Sequence, residues 1–199
     1  MKILIIGATG TIGRAVADEL SGRHDVVRVG HSSGDLRADI TDPVSLEQLF
    51  SNVGQVDAVV SAAGVMHVGP LEKMTEDEMK LGVMDKLMGQ IRVARLALPS
   101  LADGGSITLS SGLASRIHRP GWAVLAAVNA GLEAFGKAGA VDLPRGIRIN
   151  IVSPGGVTET MEALGWDSSI GIPAAEVALA YAGLVEGKET GAVVDVGRV

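Results

Sequence analysis

Short apolar runs alternate with longer amphipathic segments along the whole chain. The first run, residues 3–6, ends in Gly7 and predicts a buried strand. The segment after it, residues 11–20, carries apolar residues at helical spacing and predicts a helix. This alternation continues to the end of the chain, which favours strands and helices that follow one another regularly.

The same alternation of apolar runs and amphipathic segments predicts the remaining strands and helices. Further strands are predicted at residues 25–30, 36–40, 56–62, 105–110, 147–152 and 192–196, and further helices at residues 43–53, 75–98, 123–143 and 173–186. Asp42 before Pro43 is a typical helix start, and Thr75 with Glu78 forms a capping-box pattern.

Alternating strands and helices indicate a parallel sheet, because parallel strands need crossover connections. We therefore predict an α/β fold with a doubly wound, Rossmann-type sheet of about seven strands and helices on both faces. The length of 199 residues suits a single domain over residues 1–199. Ligands of such sheets bind at the carboxyl ends of the strands, so candidate site residues are sought there.

Composition narrows the function classes. The net charge of −6 is spread evenly, which argues against nucleic acid and anionic membranes as partners. The absence of cysteine excludes disulfides and thiolate chemistry, and no His/Asp/Glu spacing predicts a metal site. No apolar stretch predicts a secretory signal or a membrane span. We expect a cytoplasmic protein that acts on a small molecule.

A glycine-rich turn connects the first strand to the first helix. Glycines in this setting let backbone amides and a helix N-terminus approach a pyrophosphate, although they also suit a tight turn with close helix packing. The candidate dinucleotide-binding residues of this turn are Gly7, Thr9, Gly10, Thr11, Ile12 and Gly13.

The end of the second strand bears on the choice of cofactor. A site that prefers NAD usually has an acid there to hold the ribose 2′-hydroxyl, but this chain has His31 and Ser32 and no acid before Asp35. Arg14 follows the last glycine of the turn. These groups favour the 2′-phosphate of NADP(H) over NAD(H), while Arg14 and His31 as solvated surface groups remain the alternative.

With these segments placed, the chain resembles the short-chain dehydrogenase/reductase (SDR) family over nearly all of its length. The glycine turn resembles the cofactor turn of that family, and the other matching blocks imply further cofactor-binding residues. These are Asp39 and Ile40 at the adenine, Ala62, Ala63 and Gly64 at its ribose, and Pro154, Gly155, Val157 and Thr158 beside the nicotinamide.

The catalytic motif of the family is where the chain departs from the resemblance. Ser111 matches the family's serine, but the Tyr-x-x-x-Lys positions fall on Leu125 and Asn129. Leucine has no proton to give, and the one tyrosine of the chain, Tyr181, is far along in the last predicted helix. In the long helix, Lys86 stands where the family usually has an asparagine.

The family's lysine is missing at position 129, and an additional lysine is present at position 86. This suggests that the second lysine compensates for the loss of the first. We expect Lys86 to reach Asn129 and the ribose or nicotinamide side of the site, with exposure to solvent as the alternative. Ser111, Lys86 and Asn129 are therefore the catalytic candidates, with His118 or water as a further part of the proton relay. Only residues 158–172 separate the Pro-Gly turn from the last helix, so the substrate pocket should be shallow or completed by a partner subunit.

Two functions follow from this reading. The first is an NADP(H)-dependent oxidoreductase that acts on a small carbonyl or alcohol through an atypical active site. The second is an inactive NADP(H)-binding protein of the same fold that serves as a sensor or scaffold. Helices 75–98 and 123–143 are apolar on more than one face, which predicts a homodimer or homotetramer.

Overall fold

The computed structural model describes residues 1–197, which form a parallel sheet with helices on both faces. The strands are β1 (Lys2–Ile6), β2 (Asp25–Gly30), β3 (Leu36–Arg37), β4 (Val56–Ser61), β5 (Leu101–Ser110), β6 (Arg148–Pro154) and β7 (Val193–Val196). Their order in the sheet is β3-β2-β1-β4-β5-β6-β7. The predicted doubly wound fold is confirmed. The strand order switches between β1 and β4: β2 and β3 extend the sheet on one side of β1, and β4 to β7 extend it on the other.

Seven α-helices lie in the described part of the chain. They are α1 (Thr11–Ser21), α2 (Pro43–Val53), α3 (Glu76–Leu81), α4 (Met88–Ala97), α5 (Ala123–Asp142), α6 (Thr158–Ala163) and α7 (Ala174–Glu186). The predicted caps of α2 and α3 are present: Asp42 accepts from the Val44 N–H, and Thr75 and Glu78 form a capping box.

Two apolar cores lie on opposite faces of the sheet. One contains Leu46, Val93 and Leu132 from α2, α4 and α5, and the other contains Val16 and Val177 from α1 and α7. The central strands β1, β4 and β6 are almost completely buried, as their continuous apolar runs predict, whereas β2, β3 and β7 towards the sides of the sheet are partly exposed. Both faces are covered, so the carboxyl ends of the strands remain as the open edge where a ligand can bind.

The structure corrects three predicted elements. The helix predicted over residues 75–98 is interrupted by a π-helical segment, Gly82–Leu87, between α3 and α4. The strand predicted over residues 36–40 is only two residues long, because Asp39 accepts hydrogen bonds from Thr41 and turns the chain. Helix α6 forms at the start of the connection between β6 and α7, where no helix is predicted.

Helix α5 is long and apolar enough to cross a membrane by length and composition, with a mean hydropathy of 1.2 over its 18-residue window. Core helices of globular proteins pass the same test, so one such helix is weak evidence for a membrane span. α5 packs against β6 and carries the buried polar residues Asn129 and Glu133, which is typical of a helix packed on a sheet.

Candidate functional site

The turn after β1 approaches its neighbours so closely that side chains are excluded. A Cβ on Gly7 would lie 2.7 Å from the carbonyl carbon of Ala62, and one on Gly13 would lie 2.1 Å from the carbonyl oxygen of Gly7. Gly7 also has a φ of +87°, which favours glycine. Gly10 caps α1 without a side-chain hydrogen bond, so the first-turn amides are open to an anion.

An open cleft of about 650 Å³ adjoins this turn. Thr9, Gly10, Thr11 and Arg14 line it, and so do the acidic residues Asp18, Glu19 and Glu159. The Arg14 guanidinium donates to the carbonyl oxygen of Thr9 at 3.0 Å, which holds the cation over the turn. The turn thus combines a helix N-terminus with a cation, a donor set that fits the phosphates of a dinucleotide, whereas the three carboxylates disfavour an anion in the rest of the cleft.

The end of β2 presents His31 and Ser32 as exposed side chains. Asp35 is withdrawn from this end, because its carboxylate accepts from the Arg28 N–H at 2.8 Å. Asp39 lies closer, 3.8 Å from His31 Nε2, and hydrogen bonds from the Thr41 hydroxyl and N–H, with the nearby His31, lower its pKa. The adjacent residue, Ile40, turns its side chain into the core.

Ala62, Ala63 and Gly64 follow β4 and pass beside the π-helical segment. Gly64 has a φ of +141°, and a Cβ there would lie 2.7 Å from Cγ of Lys86. Asp85 accepts from the Val65 N–H at 2.6 Å, which fastens the loop to the segment. Only glycine at position 64 therefore leaves room for the side chain of Lys86 to pass.

Lys86 reaches the residue that the sequence analysis predicts. Its ammonium donates to Asn129 Oδ1 at 2.9 Å and to the carbonyl oxygen of Ser111 at 3.0 Å. Enclosure of the ammonium lowers its pKa from 10.5 to about 8, because desolvation disfavours the charged form. An ammonium has three N–H donors, and the hydrogen bonds of the described residues leave the third one free.

Two buried polar side chains fix the end of β5. The Gln90 amide donates to the carbonyl oxygen of Ser110 at 2.9 Å and accepts from its N–H at 2.8 Å. The Ser110 hydroxyl donates to the carbonyl oxygen of Ser61 at 2.6 Å and lies 2.5 Å from the hydroxyl of Tyr181. Burial raises the pKa of Tyr181, whose hydroxyl is enclosed in the core and does not reach the open edge.

Ser111 binds a residue that the sequence analysis missed. Its hydroxyl donates to Glu133 Oε1 at 2.8 Å, and Glu133 is buried one helical turn after Asn129. We call Ser111, Ser115, Arg116, Glu133 and Ser153 the Glu133 cluster, since all the others donate to this carboxylate. The sequence feature that could have indicated Glu133 is a single acidic residue in the apolar middle of the helix predicted over residues 123–143.

The residues after β6 are held by backbone pairing. The Gly155 N–H donates to the Val196 carbonyl oxygen at 2.8 Å, and the Thr158 N–H donates to the Ile172 carbonyl oxygen at 2.9 Å. Val157 forms a parallel bridge with Ile172. Pro154, Gly155, Val157 and Thr158 therefore lie at the same edge of the sheet as the glycine turn.

His118 is exposed on the loop before α5 and makes no hydrogen bond to the described residues. The structure therefore does not bring it to Lys86 or Ser111. Within residues 1–197, no three His, Asp or Glu side chains converge in a way that could hold a metal ion. The polar groups that the structure brings together at this edge are Lys86, Asn129, Ser111 and the Glu133 cluster.

Comparison with known proteins places this geometry in context. A family model described as enoyl-(acyl carrier protein) reductase matches residues 7–194. Hydroxynaphthalene reductase arp2 of Aspergillus fumigatus is 30% identical in an alignment that covers 98% of this chain and 82% of the relative.

Two solved structures share the fold over almost their whole length. The protein lin1944 from Listeria innocua is 39% identical with a TM-score of 0.94, and the match covers 98% of this chain and 99% of that chain. A small-chain dehydrogenase solved in complex with NADPH is 28% identical with a TM-score of 0.88, and the match covers 99% of this chain and 96% of that chain.

Proposed function

This chain belongs to the short-chain dehydrogenase/reductase family, and we propose that it is an NADP(H)-dependent oxidoreductase that interconverts a small carbonyl compound and its alcohol. The family supports a nicotinamide cofactor and an oxidoreductase reaction. The preference for NADP(H), the small substrate and the atypical proton relay are our proposals. The observation that carries the proton relay is the position of Lys86, whose ammonium contacts Asn129 and the carbonyl oxygen of Ser111.

The residues of the open edge fit a dinucleotide. The open amides of α1 and the Arg14 guanidinium would hold its phosphates, and Ala62 to Gly64 would border its adenine ribose. The nicotinamide ring of such a cofactor supplies or accepts a hydride. A structural relative in complex with NADPH supports the same assignment.

The cofactor preference rests on the groups around the end of β2. Arg14 and the exposed His31 and Ser32 would donate to a 2′-phosphate, whereas Asp35 is occupied by the Arg28 N–H. Asp39 is near, but its carboxylate is bound by Thr41. The balance favours NADP(H), because a phosphate gains charge-assisted hydrogen bonds here.

Lys86 is the group we assign to proton transfer. Its ammonium is anchored by Asn129 and by the Ser111 carbonyl oxygen, and its third N–H can face a substrate oxygen. In reduction, Nζ gives a proton to the oxygen that was the carbonyl, and the neutral amine is then reprotonated from water. A pKa near 8 suits a group that gives and takes a proton near neutrality.

The experiment is a titration followed by a screen. Calorimetry with NADPH and NADH measures binding to the wild type, and a panel of aldehydes, ketones and alcohols is then followed by absorbance of the reduced nicotinamide. We expect NADPH binding, turnover of a member of the panel, and loss of turnover in Lys86→Met at retained folding. A wild type that binds neither cofactor would refute the proposal, and full activity of Lys86→Met would refute the role of Lys86.

The alternative of an inactive sensor or scaffold is not favoured. The curated relative is named as a reductase, and Lys86 with Asn129 forms an ordered polar pair where a decayed site would leave none. A folded protein that binds NADPH but turns over no member of the panel would favour the alternative.

A further inference from the structure

The Glu133 carboxylate collects donors from several elements. Oε1 accepts from the hydroxyls of Ser111 and Ser115 at 2.8 Å each, from Ser153 at 3.3 Å and from Arg116 Nη1 at 3.0 Å. Oε2 forms an ion pair with Arg116 Nη2 at 3.0 Å. The carboxylate is therefore paired with a cation and supplied with donors, as a buried charge requires.

The hydrogen-bond inventory of Ser111 follows from this partner. A serine hydroxyl has one proton, and an ionised carboxylate can only accept. The proton of Ser111 is therefore committed to Glu133, and only the lone pairs of its oxygen remain for another group. A carbonyl oxygen also only accepts, so Ser111 cannot bind it while this hydrogen bond lasts.

We propose that Glu133 is a positioning residue that keeps Ser111 as a hydrogen-bond acceptor, so that Ser111 binds the hydroxyl of the alcohol and not the carbonyl. This inference rests on the proposed function for its substrate class. Lys86 and Ser111 then have different roles at the site. Lys86 donates a proton to the substrate oxygen, and Ser111 accepts a hydrogen bond from the O–H that forms. The alcohol is thereby held by two groups, and the carbonyl by one.

The first test observes the hydroxyl proton of Ser111 directly, without a substrate. Protein labelled with ¹³C-serine is examined by NMR at low temperature, and Ser111→Ala assigns the signal. Ser110 is an internal reference, because its buried hydroxyl donates to the Ser61 carbonyl oxygen. We expect slowly exchanging hydroxyl protons on both serines in the wild type. A visible Ser110 proton with a fast-exchanging Ser111 proton would overturn the proposal.

Two variants then separate positioning from folding. Glu133→Gln should speed exchange of the Ser111 hydroxyl by about tenfold or more, because a neutral amide holds the proton less strongly. Ser115→Ala is the matched control: it removes another donor to the same Oε1 atom without touching Ser111, and should leave the exchange rate unchanged. Equal exchange in Glu133→Gln and wild type at equal thermal stability would overturn the proposal.

Kinetics test the consequence for catalysis, with the carbonyl substrate found in the panel. In Glu133→Gln the less strongly held hydroxyl can donate to the carbonyl, so KM should fall, and kcat should fall by about tenfold because Ser111 no longer accepts the O–H of the alcohol as it forms. In Ser111→Ala, the additional Glu133→Gln change should have no effect on kcat, because Glu133 acts through Ser111. An additional loss would indicate a general structural role. Absence of any turnover would refute the proposed function, whereas the NMR result stands without it.

Discussion

The ammonium of Lys86 lies 2.9 Å from the amide oxygen of Asn129, so a cation on the π-helical segment is bound by an amide on α5. The resemblance to the SDR family implies asparagine at the position of Lys86 and lysine at the position of Asn129. We propose that the pair is an exchange of two side chains between two helices, which keeps the positive charge in the same region of the site.

Reversing the exchange tests whether the two residues act as a pair. Lys86→Asn removes the ammonium and should weaken NADPH binding about tenfold, and Asn129→Lys should weaken it by crowding two ammonium groups. The double variant should recover affinity to within about threefold of wild type. Calorimetry measures these values, with the exposed Lys80→Asn as control. If the loss of NADPH binding free energy in the double variant equals the sum of the losses in the two single variants, the two residues do not act as a pair.

The pH dependence of reduction should report Lys86. Its pKa is lowered to about 8 in the cofactor-free chain, and the protonated form is the proton donor. The value of kcat/KM for reduction should therefore fall as pH rises above this pKa, and oxidation of the alcohol should be favoured in the same range. Lys86→Arg stays charged and cannot give up its proton in this range, so the residual turnover that it supports should show no such decline. An unchanged profile in that variant would assign the titration to another group.

Cofactor preference should depend on Arg14. We expect NADPH to bind more tightly than NADH by about 1 kcal/mol or more, the low end for a charge-assisted contact. Arg14→Ala should shrink this difference, while Arg95→Ala, an exposed arginine on α4, should leave it unchanged. Calorimetry with both cofactors provides the comparison, and equal affinities in the wild type would show that the end of β2 does not select for phosphate.

The buried Gln90 should contribute more to the free energy of unfolding than the exposed Gln48. Gln90→Leu leaves the buried N–H and carbonyl of Ser110 without partners, and should lower the free energy of unfolding by about 2–4 kcal/mol. Gln48→Leu, at an exposed position of α2, should change it by less than about 0.5 kcal/mol. Urea denaturation measures both, and equal effects would show that Ser110 finds other partners.

Assembly is predicted from exposed apolar side chains on α3 and the π-helical segment. Leu81, Val83 and Met84 are 40%, 39% and 48% exposed. We propose that such residues are covered in a homodimer or homotetramer. Light scattering at micromolar concentration should show an oligomer, and Val83→Glu with Met84→Glu should weaken it. A monomeric wild type would exclude this proposal.

The sequence predicted the strands and most helices because their apolar residues recur at the periods of buried strands and amphipathic helices. It also predicted the contact of Lys86 with Asn129, since a displaced lysine and a missing one pointed to one place. It missed Glu133, because a single glutamate in an apolar helix does not reveal its partners on another loop. The π-helical segment was missed because a wider turn leaves the periodicity of the flanking helices intact.

The π-helical segment also determines where the chain between α3 and α4 can lose a residue. A π turn accommodates one residue more than an α turn, so deleting one residue within Gly82–Leu87 would let the segment relax to an α-helix. The extra residue is taken up within the wider turn, so such a deletion would leave α3 and α4 close to their present phase, whereas a deletion within α4 would rotate the residues on one side of it by about 100°. The π-helical segment is therefore the part of this helical stretch that can best lose a residue, whereas a deletion at Met88 or Gly89 would separate Lys86 or Gln90 from its partners.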